Sequence, residues 1–136
     1  MSFVSYNVAS ININNITSPT KLNALRNFIG SQNIDIVCLQ EVENELLSLP
    51  GFVVVANVDN ARRGTAIALK SHIQYSHVEK SLDGRLTALR VQNVTIANIY
   101  DHSGTAQRAA REEFFNTTLA YYLRNRTEHV IPFGRF

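Results

Sequence analysis

Three polar residues in this sequence stand where strand-like apolar runs finish: Asn7 in Phe3 to Val8, Glu41 just after Ile34 to Leu39, and Tyr100 closing Val94 to Ile99. A carboxylate beyond the carboxyl end of a buried strand is well placed to hold a divalent cation, because open α/β sheets bind ligands along that edge. An asparagine amide both donates and accepts, so it can hold a carboxylate ligand or a phosphate oxygen, and a phenol can donate to phosphate. Each residue also has a plainer role. Glu41, with Glu43 and Glu45, suits the first turn of a short helix; Asn7 suits a strand closing into a turn; Tyr100 suits a core boundary. The three make one site only if their strands end at the same edge of a sheet.

Other reactive types carry less. Arg62-Arg63-Gly64 lies between two strand-like runs and could touch a phosphate backbone, although backbone binding needs several basic groups on one face. His72, His77, His102 and His129 share no metal-ligand spacing, and only His102, in the segment after Tyr100, is placed to matter. Cys38 is the sole cysteine; it lies inside an apolar run, which excludes a disulfide framework and a zinc cluster and makes it a small core residue.

The elements that must position these groups follow from pattern. Phe3 to Val8 is expected as a first strand, ended by the turn-prone asparagines Asn12, Asn14 and Asn15. Ser18-Pro19 supplies a capping residue and a first-turn proline for a helix with Leu22, Leu25 and Ile29 on one face and Gly30 near its stop. Ile34 to Leu39 is short and continuously apolar, as strands buried on both faces are, so strand, helix and strand make a parallel unit. Phe52 to Ala56, Thr65 to Leu69, Ile73 to Val78, Leu86 to Val91 and Val94 to Tyr100 then form an expected antiparallel meander, with turns at Asp83-Gly84 and Gln92-Asn93. A second helix is expected from Thr105 to Arg124, and a last strand from His129.

With 136 residues, 45% hydrophobic and 18% charged, the chain is expected to form one globular unit rather than a disordered tail. A net charge of +2 permits a polyanionic partner without arguing for one. No apolar run approaches a membrane span and no signal-like start precedes Phe3, so an intracellular location without membrane contact is expected.

Four segments taken in order resemble the endonuclease/exonuclease/phosphatase family, and within it the apurinic-type endonuclease domain of non-LTR retrotransposons. They are Ser5-Tyr6-Asn7-Val8, Leu39-Gln40-Glu41-Val42, Arg63-Gly64-Thr65-Ala66-Ile67-Ala68-Leu69 and Asn98-Ile99-Tyr100-Asp101-His102-Ser103-Gly104. The resemblance implies a DNase I-like four-layer α/β sandwich, of which this would be the N-terminal part, and cleavage of phosphodiester bonds with Mg2+. It implies that Glu41 binds the metal, that Asn7 supports metal and phosphate, and that Tyr100 reaches the substrate phosphate. DNA is the implied partner, with a reverse transcriptase region in an intact parent acting in the nucleus.

One departure from the family pattern is informative. Where the family has Gly-Asp-Phe-Asn, this sequence has Gly134-Arg135-Phe136 and ends, so the expected aspartate is an arginine and the later Ser-Asp-His segment does not follow. Arginine can neither act as a base nor ligate a cation. The expectation is therefore an interrupted, inactive fragment that folds poorly because most of its second sheet is missing. The alternatives are a non-catalytic remnant with at most nucleic-acid binding, and a fragment of another branch such as an inositol or lipid phosphatase or an RNA-trimming nuclease.

Overall fold

The computed structural model describes residues 6–13, 18–43, 47–59 and 64–100, together with the backbone of 129–135. Among these are one helix and eight strands: β1 (Val8–Asn12), α1 (Pro19–Ser31), β2 (Ile36–Gln40), β3 (Phe52–Val58), β4 (Gly64–Lys70), β5 (Ser76–Lys80), β6 (Leu86–Val91), β7 (Val94–Tyr100) and β8 (His129–Arg135). The expected helix Thr105 to Arg124 lies outside the described residues.

Helix α1 starts where its sequence says it should. Ser18 is the N-cap, its Oγ accepting from Lys21 N at 3.5 Å, and Pro19 follows in the first turn. The helix runs through Gly30 and stops at Asn33, whose φ of 51° turns the chain left-handed. Ile34 N then donates to Ile29 O at 3.1 Å and Asn33 N to Gly30 O at 3.3 Å, the paired bonds that close a helix end. Leu25 and Ile29 are buried against Val37, Leu39, Ala66 and Ala68 of the sheet below.

Strand β1 departs from expectation. It begins at Val8, where the predicted strand ended, and the asparagine-rich stretch read as a turn is partly strand. The reason is period-two alternation: Ala9, Ile11 and Ile13 pack toward α1, leaving Ser10 and Asn12 on the other face. Side-chain burial outweighs the turn preference of a single asparagine.

Two four-stranded sheets result, ordered β1-β2-β4-β3 and β5-β6-β7-β8. β1 and β2 are parallel, as the strand-helix-strand reading requires, while β4 lies antiparallel to both β2 and β3. The expected single meander is thus split. β3 and β4 stay in the first sheet; β5, β6 and β7 form the antiparallel part of the second. Ile73 does not start a strand; β5 begins at Ser76, and Ile73 is buried between the sheets instead.

The second sheet is also more complete than the sequence led us to expect. Leu89, Val91 and Ile96 from it meet Ile36, Cys38, Ile67 and Leu69 of the first sheet in a closed inter-sheet core. Each fully buried aliphatic side chain in that layer is worth roughly 1.5–3 kcal/mol, so the expectation of an open apolar face is corrected for the faces these two described sheets turn to each other. Helix, sheet and sheet make three described layers. No described helix is long and apolar enough to cross a membrane.

Candidate functional site

Glu41 is the residue after β2, and its backbone is left-handed with φ 56°. Two buried anchors bracket it. Gln40 ends the strand at 3% exposure, and Val42, at 1%, donates its N–H to Gly64 O at 3.0 Å. Gly64 has to be glycine there, because a Cβ would run into Asn57 O and the Val58 backbone of β3. Glu41 is thereby turned out of the sheet to a half-buried position, a conformation that costs about 1–3 kcal/mol for a non-glycine residue and persists only where its surroundings fix it.

Its carboxylate meets the other sheet. Tyr100, the last residue of β7, donates its hydroxyl to Glu41 Oε1 at 2.6 Å and is itself 6% exposed. A hydroxyl donating to an ionised carboxylate makes a short, charge-assisted bond. It also leaves Oε2 for a second partner.

Below this pair lies a polar layer. Asn98, fully buried, donates Nδ2 to Leu39 O at 2.9 Å and to Ala66 O at 2.7 Å, while its Oδ1 accepts from Gln40 Nε2 at 2.9 Å. Gln40 Nε2 also reaches Ser10 Oγ at 3.0 Å. Thr65 and Thr87 bridge the sheets further along, Oγ1 to Oγ1 at 2.7 Å.

The expected trio does not converge. β1 and β2 run in parallel with Val8 beside Ile36 and Asn12 beside Gln40. Asn7 therefore lies at the amino end of β1, about 16 Å of strand from the Glu41 edge. There it donates its backbone N–H to Asp35 Oδ2 at 2.8 Å and Nδ2 to Asn33 O at 2.9 Å. The expectation that Asn7 shares one metal and phosphate site with Glu41 is corrected on this geometry. The asparagine at the carboxyl end of β1 is Asn12, with the same neighbour, Gln40, that precedes Glu41. The alternation Ala9-Ser10-Ile11-Asn12-Ile13 is the signal that would have found it.

Arg85 was also missed. It is 7% exposed, and its carbonyl accepts from Tyr100 N at 2.9 Å, which puts the residue just before β6 beside the last residue of β7. Thr87, Leu89 and Val91 face the first sheet, and strand alternation carries Arg85 to that side as well. Asp83 lies 3.4 Å from its Nε. The Asp83-Gly84 turn was read in the sequence, but not the arginine that follows it.

Arg135, by its backbone, is the register partner of Tyr100 on β8. Arg62, Arg63 and His102 lie outside the described residues. Cys38 is inert: burial pushes its thiol up to about 12. Among the described residues no group of three His, Cys, Asp or Glu could hold a metal. Of the described residues, a cation at this edge would have the Glu41 carboxylate and an amide oxygen to rest on, with water. That donor set fits magnesium, which keeps several waters and needs one or two carboxylates, and does not fit zinc.

Comparison with known proteins bears on the family and the fold. A family model described as "Endonuclease/Exonuclease/phosphatase family" matches residues 4–129. An AP endonuclease from Archaeoglobus fulgidus has a similar fold, with a TM-score of 0.78 at 20% identity over 96% of this chain and 56% of that one. The 3′ phosphatase NExo from Neisseria, solved with a product DNA hairpin, matches at TM-score 0.75 and 18% identity over 97% of this chain and 58% of the other. TDP2 from C. elegans matches at 0.69 and 19%, over 95% of this chain and 47% of its own. The chain thus spans about half the length of these structures.

Proposed function

Because this chain belongs to the endonuclease/exonuclease/phosphatase family, we propose that the edge marked by Glu41 and Tyr100 is part of a centre for metal-dependent phosphoester hydrolysis on DNA. The observation that carries this is the 2.6 Å bond between those two side chains at the carboxyl ends of β2 and β7. It gathers a carboxylate, a phenol, the amide-bearing Asn12 and the buried cation of Arg85 at one rim of the sandwich.

In this reading Glu41 would hold Mg2+ through Oε2, with Asn12 beside it, and Arg85 would face the substrate phosphate. Bound there, magnesium would stabilise charge developing on the phosphoryl oxygens. Tyr100 would hold the carboxylate in one orientation and turn its hydroxyl hydrogen bond from Oε1 to a phosphate oxygen when substrate enters, keeping its proton. The finer assignment is an endonuclease domain of a non-LTR retrotransposon, supported by the Arg63 to Leu69 and Asn98 to Gly104 segments. The fold neighbours that carry 3′ phosphatase and TDP2 names favour a second reading, an end-processing phosphoesterase of the same family.

Arg135 bears on the level of activity. Its backbone is the register partner of Tyr100, and the residue type is an arginine where the resemblance implies an aspartate, a side chain that can neither act as a base nor ligate a cation. With that carboxylate replaced, this chain is proposed to bind DNA phosphate and Mg2+ weakly without turning substrate over. The test is nicking of supercoiled plasmid and release of phosphate from a 3′-phosphorylated duplex, each with Mg2+. Background rates are expected. Cleavage that Glu41→Ala abolishes would overturn the inactive half of the proposal and establish the site.

A further inference from the structure

Asn98 is an expensive residue to place where it lies. A side-chain amide taken out of water costs several kcal/mol unless every polar atom finds a partner, and the surrounding layer of Leu89, Ile96 and Ile67 would accept an aliphatic side chain. Its three hydrogen bonds all end on structure that carries Glu41. Leu39 O is two residues before Glu41, Gln40 is its immediate neighbour, and Ala66 lies on β4 two residues from the Gly64 carbonyl that holds Val42. On its own strand, Asn98 is two residues before Tyr100, on the same face.

We propose that Asn98 is a positioning residue: by fixing the second sheet to β2 and β4 it sets the gap across which Tyr100 orients the Glu41 carboxylate. The proposal rests on the site reading above, since it assigns Asn98 a role through that pair. Buried polar groups that replace equally good apolar packing specify one arrangement rather than add stability, and here the arrangement specified is the register of two sheets at a cation-binding edge. Hydrophobic contact alone would let the sheets slide by fractions of an ångström. A bond of 2.6 Å does not tolerate that.

The experiment is a double-mutant cycle on the full chain without metal. Tyr100→Phe, Glu41→Ala and the double variant are compared in urea unfolding, in the native background and with Asn98→Leu. In the native background the two residues are expected to be coupled by roughly five-fold in the unfolding constant. With Asn98→Leu that coupling should fall below two-fold. An undiminished coupling in a merely less stable protein overturns the proposal, because a structural role lowers all four variants alike. Where Asn98→Leu does not fold, Gln40→Met, which removes the Oδ1 bond and retains the side-chain volume, replaces it with the same expectation and the same overturning result. Mg2+ titration of the native chain is run separately: absence of binding there counts against the site, whereas the cycle contains no metal and judges Asn98 alone.

Discussion

Tyr100 and Glu41 stand 59 residues apart in the chain, on different sheets, and share a 2.6 Å hydrogen bond. Neither residue could be held there by its own strand alone. The left-handed turn at Glu41, the Gly64 contact behind it and the Asn98 bonds beneath it are all needed to bring the carboxylate to that phenol.

Tyr100→Phe removes this bond and keeps the buried ring. A hydrogen bond to a charged acceptor contributes roughly 1.5–3 kcal/mol, and the half-buried carboxylate places the expected loss at the lower end. Urea unfolding measures it. An unchanged midpoint would show that the bond is not made in solution.

The glycines make a contrasting pair. Gly64→Ala forces a methyl group into Asn57 and Val58 and should cost about 1–3 kcal/mol, as overpacking does. Gly30 lies inside α1 with nothing within 4 Å of a built Cβ. Gly30→Ala should therefore stabilise by roughly 0.5–1 kcal/mol. Thermal melts of the two variants should move in opposite directions; a stabilised Gly64→Ala contradicts the close approach of β3 and β4.

Asp35 gives a pH dependence. The Asn7 backbone N–H holds its carboxyl below the usual carboxylate range; partial burial opposes this, and Lys70, whose Nζ lies 3.0 Å away, and His72 add to the lowering. The folded state thus binds the Asp35 proton less readily than the unfolded chain does. The resulting stability is fully present above the unfolded value near 4 and is lost as pH falls through the lower folded value. Asp35→Asn should flatten the acid limb of stability measured from pH 7 down to pH 2. An identical limb in both proteins would refute this contribution.

The register of β1 makes its own prediction. Asn7 bonds to Asp35 and Asn33 at one end of the sheet, while Asn12 pairs with Gln40 at the other. Asn7→Ala should lower stability and leave Mg2+ affinity as it was, and Asn12→Ala should weaken Mg2+ affinity several-fold. Calorimetric titration of the two variants separates them, and the reverse result would restore the shifted register.

What the sequence disclosed follows the range of the forces involved. Helix α1 and strand β2 were readable because Ser18-Pro19, the Leu22-Leu25-Ile29 face and the unbroken Ile34 to Leu39 run are local signals. Glu41 stood out because a carboxylate after a buried strand is conspicuous. Asn7 was placed at the wrong end of the sheet because turn chemistry was weighed above alternation in a stretch where both apply. Asn98 and Arg85 passed unnoticed for another reason: their partners, Leu39, Ala66, Gln40 and Tyr100, come from strands whose pairing only the folded sheets define. The pairing of β8 with β7 was hidden likewise, since β8 joins the sheet in parallel far along the chain from its partner.

The central claim is that a divalent cation enters at Glu41, and paramagnetic broadening by substoichiometric Mn2+ tests it residue by residue. In amide spectra of the 15N-labelled chain, the signals of Gln40, Glu41, Val42 and Tyr100 should broaden first, and Glu41→Gln should abolish the effect. Broadening centred on the other end of the sheet, around Asp35 and Lys70, or a pattern that survives Glu41→Gln, would contradict it.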